Sequence, residues 1–426
     1  MAARGMAGPG RRGQGGGAKA KERDRIMDHY DIAIIGAGLA GALAAIALSR
    51  DGRSVALIAP PAPSDGRTTA LMDEAIGFLG KLDLGNEVTA LGAPLATLRI
   101  IDGTDRLLRA PVVTFRAAEI GLEAFGYNLP NAPLLDALNA RIAESPSISR
   151  IDARLEGLEE HPAACTLTLT EGRAVTASLV IGADGRRSLV REARGIETRT
   201  WSYPQTAVVL NFAHERSHEN VSTEFHTQQG PFTQVPLPGH RSSLVWVMTP
   251  AQAAEMVTQD AAALSLAVEQ RMQSMLGKVT VDSEPQAFPL SGMAATRFGK
   301  GRIILVGEAA HAFPPIGAQG LNLSLRDVMA LVSMLADAPS IAADIGDRYD
   351  RRRRADILSR TVSVDLLNRS LLTGFLPVQM VRTGGLQALS SAGALRSLVM
   401  QEGLRPGSAI RSVLGGLREK IGRHSA

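Results

Sequence analysis

A glycine-rich stretch between a short apolar run and a helical pattern constrains the fold of this chain more than any other feature. Residues 36–41 read Gly-Ala-Gly-Leu-Ala-Gly, and they follow an apolar run over residues 30–35 that predicts a buried strand. Residues 39–50 predict a helix, and residues 54–58 predict a second strand. A glycine turn inside such a strand–helix–strand unit is typical of Rossmann-type dinucleotide-binding folds. The sequence therefore predicts an α/β fold that carries a dinucleotide site.

Each glycine of this turn has a distinct expected role. Gly36 permits the tight turn, Gly38 lets the backbone approach a pyrophosphate, and Gly41 lets the helix pack on the strand. The helix N-terminus adds amide donors and the positive end of a dipole for the phosphates. A carboxylate that holds the ribose is expected about 20 residues further on, yet the second strand continues as Ile-Ala-Pro-Pro over residues 58–61. Asp65 or a backbone contact is the alternative ribose partner.

Two further stretches end apolar strands in a similar way. One strand leads into Gly-Ala-Asp-Gly-Arg-Arg-Ser at residues 182–188, where Asp184 and the following helix face the same end as the glycine turn. Residues 302–306 predict another buried strand, and the Glu308 carboxylate just after it can accept hydrogen bonds from ribityl hydroxyls. The loop at residues 315–322 leads into a long helix, whose N-terminus suits the electron-rich pyrimidine edge of a reduced flavin. The order and spacing of the three stretches indicate one site for FAD.

Together these stretches resemble the class A flavoprotein aromatic hydroxylases, the para-hydroxybenzoate hydroxylase superfamily. Within that superfamily the chain is most similar to the ubiquinone-biosynthesis hydroxylase family. The residues that carry the resemblance are 65–71, 182–188, 225–238 and 307–327. The resemblance covers nearly the full chain from Asp28, and its most specific part is Gly-Leu-Asn-Leu-Ser-Leu-Arg-Asp at residues 320–327.

The resemblance implies a role in FAD binding for ten residues: Gly36, Gly38, Gly41, Arg67, Asp184, Gly307, Glu308, Gly320, Leu321 and Asn322. Arg67 is expected to help place the FAD, and the motif that contains Asp184 serves both FAD and NAD(P)H. Glu308 stands where the family carries Asp, and its extra methylene should still reach the ribityl chain. The backbone amides of Leu321 and Asn322 are expected to contact the isoalloxazine.

The resemblance also implies the reaction. NAD(P)H would reduce the flavin, O2 would add to give a C4a-hydroperoxide, and a phenolic ring would attack its distal oxygen. The expected activity is ring hydroxylation of a polyprenylated phenol or quinol intermediate of ubiquinone biosynthesis, with water excluded from the site. Two alternatives stay open: a hydroxylase of a small soluble aromatic, and a non-catalytic FAD-fold scaffold in a biosynthetic complex.

Changes in pattern along the chain predict a Rossmann-type FAD-binding domain with an inserted antiparallel-sheet substrate domain and a C-terminal helical region. Residues 1–26 are predicted to be a disordered basic leader, with Met27 as the alternative start of translation. The predicted bounds of the FAD-binding domain are 28–96, 128–200 and 291–349. Those of the substrate domain are 97–127 and 201–290, and those of the helical region are 350–426.

Composition narrows the class of protein. The net charge of +4 divides into basic ends and an acidic body, which argues against nucleic acid as a partner. Cys165 is the single cysteine, so an internal disulfide and a disulfide reductase are excluded. No apolar run reaches the roughly 20 residues needed to span a bilayer. We therefore expect a cytoplasmic protein, in which the apolar region 366–403 packs on the flavin domain or contacts the inner face of the membrane or a partner in a ubiquinone-biosynthesis complex.

The remaining candidate side chains have two interpretations each. His311, inside the third flavin motif, is a weak candidate for acid–base work, and a packed, hydrogen-bonded histidine is the alternative. The Arg351–Arg354 run is expected to cap helices and face water, and no metal ligand set is predicted. Four more histidines are expected to lie exposed and inert on the substrate sheet, with phenol deprotonation as their alternative role: His214, His218, His226 and His240.

Overall fold

The computed structural model describes residues 27–61, 65–104, 110–314, 319–336, 338–372, 389 and 391–404. The expected basic leader and part of the flavin loop, residues 315–318, lie outside this described part of the chain. Most of the apolar region at 366–403 lies outside it as well, either as whole residues or through its side chains.

The described residues form strands that belong to three sheets. In chain order the strands are β1 (Asp28–Ile35), β2 (Val55–Ile58), β3 (Thr68–Met72), β4 (Ala93–Pro94), β5 (Thr97–Asp102), β6 (Val113–Arg116), β7 (Gly126–Pro130), β8 (Ile148–Ile151), β9 (Leu155–Glu160), β10 (Cys165–Leu169), β11 (Ala174–Gly182), β12 (Thr198–His214), β13 (Val221–His226), β14 (Pro231–Leu237), β15 (Arg241–Met248), β16 (Val279–Val281), β17 (Gln286–Ala295), β18 (Gly299–Lys300), β19 (Ile303–Leu305) and β20 (His311–Ala312).

Helices cover the first sheet and one face of the second. In chain order they are α1 (Leu39–Ser49), α2 (Asp73–Lys81), α3 (Gly85–Leu91), α4 (Asn131–Ala143), α5 (Leu189–Ala193), α6 (Pro250–Met256), α7 (Ala261–Arg271), α8 (Gln319–Leu335), α9 (Ile345–Leu372) and α10 (Gly393–Leu404). Short 3-10 turns occupy Ala117–Ile120, Thr170–Gly172 and Gly307–Ala309.

The first sheet has the order β18-β19-β11-β1-β2-β8, and β1 pairs in parallel with both β2 and β11. The residues at the end of β1, from Ile32 to Ile35, are at most 5% exposed, because helices cover both faces of a parallel sheet. Helix α1 is buried nearly all round, as expected for a helix that lies between this sheet and α8. The predicted Rossmann-type unit is confirmed.

The topology of this sheet brings the three sequence motifs to one edge. Strand β1 ends directly before Gly36, β11 ends at Gly182, and β19 ends two residues before Gly307. These three strands are parallel neighbours, so their carboxyl ends lie side by side, where ligands of open α/β sheets bind.

The second sheet is nine-stranded among the described residues, with the order β20-β17-β12-β15-β14-β13-β5-β6 and β16 paired to β12. One face is buried beneath α7, where Leu264 and Val268 pack on Phe212, Phe232 and Leu244. The expected antiparallel pairing is found with one exception, because β13 pairs in parallel with β5. Strands β12 and β17 continue past residues 201 and 291, where the sequence placed domain bounds, and those bounds stay a prediction.

A small sheet that the sequence did not predict joins the two large ones. Its order is β3-β7-β4. From it, the hydroxyl of Thr68 donates to Ser243 Oγ at 3.1 Å and Asn128 Nδ2 donates to the same oxygen at 3.2 Å. The face of the second sheet that carries Ser243 is therefore the one that looks toward the first sheet.

The fold bears on two expectations from composition, one about membrane-spanning helices and one about the single cysteine. Within the described ranges, no helix combines the length and hydropathy required to cross a bilayer. Cys165 is fully buried in β10, and burial raises the pKa of its thiol to about 12, so the predicted role as an apolar filler is confirmed.

Candidate functional site

The first two motifs touch through their backbones. Gly36 has φ of +106°, and a Cβ built on it would lie 2.3 Å from the carbonyl oxygen of Ala183. The amide of Ala183 donates to the carbonyl of Ile35 at 2.8 Å, and the amide of Gly36 donates to that of Ile58 at 2.9 Å. Only glycine combines this conformation with this approach, so Gly36 makes the tight turn that the sequence assigned to it.

The other two glycines of the turn differ in what surrounds them. A Cβ on Gly41 would lie 1.9 Å from the carbonyl oxygen of Gly36, so this residue sets how closely α1 packs on β1. A Cβ on Gly38, in contrast, would meet nothing within 4 Å. Gly38 has extended backbone angles and precedes α1, so the space beside it lies at a helix N-terminus. That open space fits a phosphate group of FAD.

Asp184 offers a buried oxygen to a ligand. Its Oδ2 accepts a hydrogen bond from the amide of Val190 at 3.2 Å, and the hydroxyl of Ser188 caps α5 by accepting from the amide of Arg191. The Oδ1 atom is buried without a hydrogen-bond partner in the described part of the chain. Burial raises the pKa of Asp184 above its ordinary value. A buried acceptor without a donor costs free energy, and a hydroxyl of FAD would remove that cost.

Glu308 reaches across to the second motif. Its carboxylate lies 3.5 Å from Nε of Arg186, and Nη1 of Arg186 donates to Ser291 Oγ at 2.9 Å. Both charged side chains are about half exposed, so the pair contributes little to stability. The Glu308 carboxylate is accessible at the edge where the ribityl chain is expected.

Arg191 joins the second and third motifs, and sequence reasoning missed it. The residue is 6% exposed; its Nη1 donates to the carbonyl of Ala309 at 2.9 Å and its Nη2 donates to that of Arg186 at 2.8 Å. One guanidinium therefore holds both loops. The sequence shows only an arginine in the first turn of a short helix, a position that is usually solvated.

His311 is a packed histidine. It is 2% exposed, and its Nε2 donates to Oδ2 of Asp327 at 2.7 Å. The same oxygen accepts from the amide of Gly307 at 3.1 Å, while Oδ1 accepts from Nε of Arg353 at 3.0 Å. The geometry supports the packed interpretation over acid–base work. Arg353 is 5% exposed, so the expectation that the whole Arg351–Arg354 run faces water is wrong. Asp327 on α8 and Asp356 supply the carboxylates that its burial needs.

Arg67 is fixed beside the second sheet. Its Nε and Nη2 each donate to Asp65 at 2.8 Å, and this partner raises its pKa. Its guanidinium carbon lies 5.7 Å from the ring centroid of Phe288, within the range of a cation–π contact. Asp65 also accepts from Asn131 at 2.8 Å. Both Asp65 oxygens are thus engaged, which leaves its expected role toward a ribose as a prediction.

The start of α8 is tied to β3. Asn322 accepts from the amide of Met72 at 2.9 Å through Oδ1 and donates to the carbonyl of Ala70 at 2.7 Å through Nδ2. These bonds fix the helix N-terminus against the strand that follows Arg67. The contacts of the Gly320 and Leu321 backbone with an isoalloxazine stay predictions.

The histidines of the substrate sheet correct an expectation. His214 is 6% exposed and contacts Ser242 Oγ at 3.0 Å, and burial lowers its pKa. His226 is 8% exposed, and its Nε2 donates to Oε1 of Glu224 at 2.7 Å. The prediction that these two are exposed is wrong. His214 lies on the same face of β12 as the buried Phe212, and His226 pairs with Glu224 on its own strand. His218 is half-buried against Leu237, and His240 is exposed as expected.

The two faces of the second sheet differ in how they are covered. On the face beneath α7, Leu210, Phe232 and Leu244 are at most 2% exposed. The opposite face, which carries Ser243, is only partly covered by the described residues: Val209, Val245, Thr233, Glu224 and Ile100 form one row across five strands, and all are half-buried. This row begins in a cleft that is also lined by Arg67. The row forms a partly apolar wall whose Val209 end lies beside Arg67.

Comparison with known proteins supports FAD as the cofactor. Residues 29–361 match the FAD binding domain family. A ubiquinone hydroxylase of Rhodospirillum rubrum is 33% identical to this chain over 387 residues, which span 88% of this chain and 89% of that protein. A 3-demethoxyubiquinol 3-hydroxylase of Escherichia coli is 31% identical over 389 residues, which span 88% of this chain and 98% of that protein.

A solved structure shows the same fold at low identity. The crystal structure of a p-nitrophenol 4-monooxygenase from Pseudomonas putida aligns with a TM-score of 0.73 at 17% identity, over 88% of this chain and 98% of that one. In the described part of this chain, no group of three or more histidine, cysteine or acidic residues is arranged to hold a metal ion.

Substitution of two glycines should separate cofactor binding from folding. Gly38→Ala should keep the free energy of unfolding of the FAD-free protein within about 1 kcal/mol of the unsubstituted protein, because its Cβ meets no protein atom. Its affinity for FAD should fall at least tenfold. Gly41→Ala should lose both stability and FAD binding. Urea unfolding and FAD titration by flavin fluorescence measure the two quantities. Gly77→Ala, on an open helical surface, is the control, and equal FAD affinity in Gly38→Ala would contradict the assignment.

Asp184→Asn should stabilise the FAD-free protein at neutral pH and weaken FAD binding. Because the folded-state pKa of Asp184 is raised, this carboxyl favours folding at low pH, and that contribution is lost as pH rises through the raised pKa. The variant should therefore gain about 1 kcal/mol in free energy of unfolding at pH 7, and the gain should shrink toward pH 4. Urea unfolding across this range measures it. The exposed Asp83→Asn is the control, and a gain independent of pH would refute the explanation.

Proposed function

This chain belongs to the FAD binding domain family and to its ubiquinone-biosynthesis hydroxylases, and from that premise we propose that it hydroxylates the ring of a polyprenylated phenol or quinol. It is an FAD-dependent monooxygenase that uses NAD(P)H and O2. The observation that carries the choice of substrate is the similarity, over 88% of the chain, to relatives named for ubiquinone and demethoxyubiquinol hydroxylation.

The shape of the site supports a substrate with a long apolar chain. A small soluble aromatic would suit an open polar pocket, whereas the partly open wall of the second sheet carries Val209, Val245 and Ile100. Apolar side chains left half-buried in the middle of a sheet favour an apolar ligand, because its burial removes their surface from water. Glu224 adds a polar spot that can orient the ring.

The residues of the FAD site divide the work of binding. The α1 N-terminus beside Gly38 would hold the pyrophosphate, Asp184 and Glu308 would accept hydrogen bonds from hydroxyls, and Arg67 would close the side next to the second sheet. When bound, FAD supplies the redox chemistry between NAD(P)H, O2 and the ring. The protein orients the ring and excludes water, and oxygen transfer by the route that the family resemblance implies is part of this proposal.

The first test is a product assay. The FAD-loaded protein, supplied with NAD(P)H, O2 and a short-chain prenylphenol in detergent, should yield a product heavier by one oxygen atom. NAD(P)H consumption should match product formation. Mass spectrometry detects the product, and its NMR spectrum gives the ring position.

Other outcomes of this assay have distinct meanings. If NAD(P)H is consumed but only hydrogen peroxide forms, the prenylphenol is the wrong substrate, and hydroxylation of p-nitrophenol or another small aromatic in the same assay would favour the alternative. A purified protein that cannot be loaded with FAD would contradict the proposal as a whole.

We also propose that the C-terminal region contacts the membrane from which such a substrate is taken. Helix α10 packs on the 3-10 turn Ala117–Ile120 through Met400, which is 6% exposed, and through Arg396, whose Nε donates to Glu119 at 2.7 Å. Leu398 and Val399, on the same helix, are 40% and 41% exposed. An outward apolar pair in a basic terminal region suits an anionic lipid surface.

Replacement of that outward pair should release the protein from vesicles. Leu398→Gln with Val399→Gln should lower the fraction that sediments with phosphatidylglycerol-containing vesicles about tenfold, without loss of FAD. Leu266→Gln, which changes a leucine on α7 that is 55% exposed, is the control. Unchanged sedimentation of the double variant would disprove a membrane contact through α10.

A further inference from the structure

The partly open face of the second sheet carries one acid–histidine pair that the flavin site does not use. His226 Nε2 donates to Glu224 Oε1 at 2.7 Å, two residues apart on β13. The hydroxyl of Thr233, on the neighbouring strand, donates to Glu224 Oε2 at 3.3 Å. The side chain of His226 is 10% exposed and that of Glu224 is 28% exposed. The carboxylate thus has one oxygen held firmly and one oxygen held loosely.

Strand register connects this pair to the FAD-binding edge. Glu224 faces Thr233, Thr233 faces Val245, and Val245 faces Val209, which lines the cleft beside Arg67. Paired residues share a face of the sheet, and neighbouring strands lie about 4.8 Å apart. Glu224 is therefore three strands, about 14 Å, from Val209. The span from the cleft to Glu224 is lined by valine, threonine and the carboxylate.

Carboxylate burial on an apolar wall is unfavourable unless a donor faces it. His226 satisfies Oε1, and Oε2 has only the long contact from Thr233 among the described residues. A phenolic hydroxyl is a donor of the right kind, and it is the one polar group at the ring end of a prenylated phenol. A hydrogen bond between a phenol and a carboxylate is charge-assisted and short.

We propose that Glu224, held by His226, binds the phenolic hydroxyl of the substrate and takes its proton as the ring is hydroxylated. The inference rests on the proposed function and assigns a residue to it. The phenolic O–H bond breaks, its proton goes to Glu224 Oε2, and the electron pair stays on the phenolate oxygen. The negative charge raises electron density on the ring carbons where oxygen is added. The proton leaves Glu224 for solvent after the product departs.

The charged groups around the pair are few in the described strands. Register places Asp102 of β5 beside His226 on the same face, and it places Arg99 on the opposite face. The packed strand β7 contributes Tyr127, while β4 and β14 have no titratable side chain.

Binding tests the contact without turnover. The FAD-loaded protein should bind a short-chain prenylphenol at least tenfold more tightly than the methyl ether of that phenol, which has no proton to donate. Flavin absorbance follows both titrations. Glu224→Gln should lose most of this preference, and Thr233→Val, which removes only the loose donor, should keep it. An unsubstituted protein that binds the two compounds equally would overturn the inference.

Turnover tests whether Glu224 takes the phenolic proton. In Glu224→Gln, the rate of product formation at saturating substrate should fall about 100-fold at pH 7. It should recover about tenfold per pH unit toward the phenol's pKa of about 10, and a nitro-substituted phenol that is already ionised at pH 7 should be hydroxylated at nearly the unsubstituted protein's rate. A residue with a merely structural role would lower the rate at every pH and for both phenols, and that pattern would overturn the inference.

A second Glu-x-His pair provides the matched control. Glu159 and His161 have the same spacing, but their nearest charged atoms are 4.0 Å apart and their side chains are 81% and 52% exposed. Glu159→Gln should leave binding, rate and pH profile unchanged. If the unsubstituted protein forms no hydroxylated product, the proposed function fails, and the phenol–ether comparison still decides the role of Glu224.

Discussion

The FAD-binding half of this protein depends on a backbone contact that leaves no space for a side chain. At Gly36 a Cβ would lie 2.3 Å from the carbonyl oxygen of Ala183, and at Gly41 it would lie 1.9 Å from that of Gly36. These contacts follow from the parallel pairing of β1 with β11, which puts the turns after both strands at the same point. Because α1 is buried nearly all round, any shift at Gly41 would displace packing on the sheet and on α8 together. Space for a cofactor remains beside Gly38 because the neighbouring glycines hold the backbones close.

Buried charged side chains then fix the loops that this contact brings together. Arg191 holds the carbonyls of Arg186 and Ala309, and Asp327 holds His311, the amide of Gly307 and Arg353. Ionic groups inside a protein usually stabilise less than apolar packing would, because they lose their hydration. Their directional bonds can, however, hold two loops in one relative position. That property suits an edge where three separate loops must contact one ligand.

Local sequence patterns could predict the strand–turn–helix units, but not the charged residues that join them. The positions of Gly36, Gly38 and Gly41 follow from a short-range pattern, because turn conformation is set by neighbouring residues. The burial of Arg353 and Arg191 depends on Asp327 and Ala309, which are 26 and 118 residues away, so a local pattern shows both arginines as surface residues. The parallel pairing of β13 with β5 escaped prediction for the same reason: it joins segments more than 100 residues apart.

The contrast between the two faces of the second sheet connects stability to function. The face beneath α7 is closed by Phe212, Phe232 and Leu244, so its packing holds the sheet without help from a ligand. The opposite face can then stay incompletely covered at Val245 and Glu224. Burial of a long apolar chain on this face would remove its surface from water, and the pair at β13 lies where the polar end of such a chain would be desolvated. An apolar residue in place of Glu224 would fit that wall better in the absence of a ligand, which is why the carboxylate makes most sense as a partner for a proton donor on the substrate.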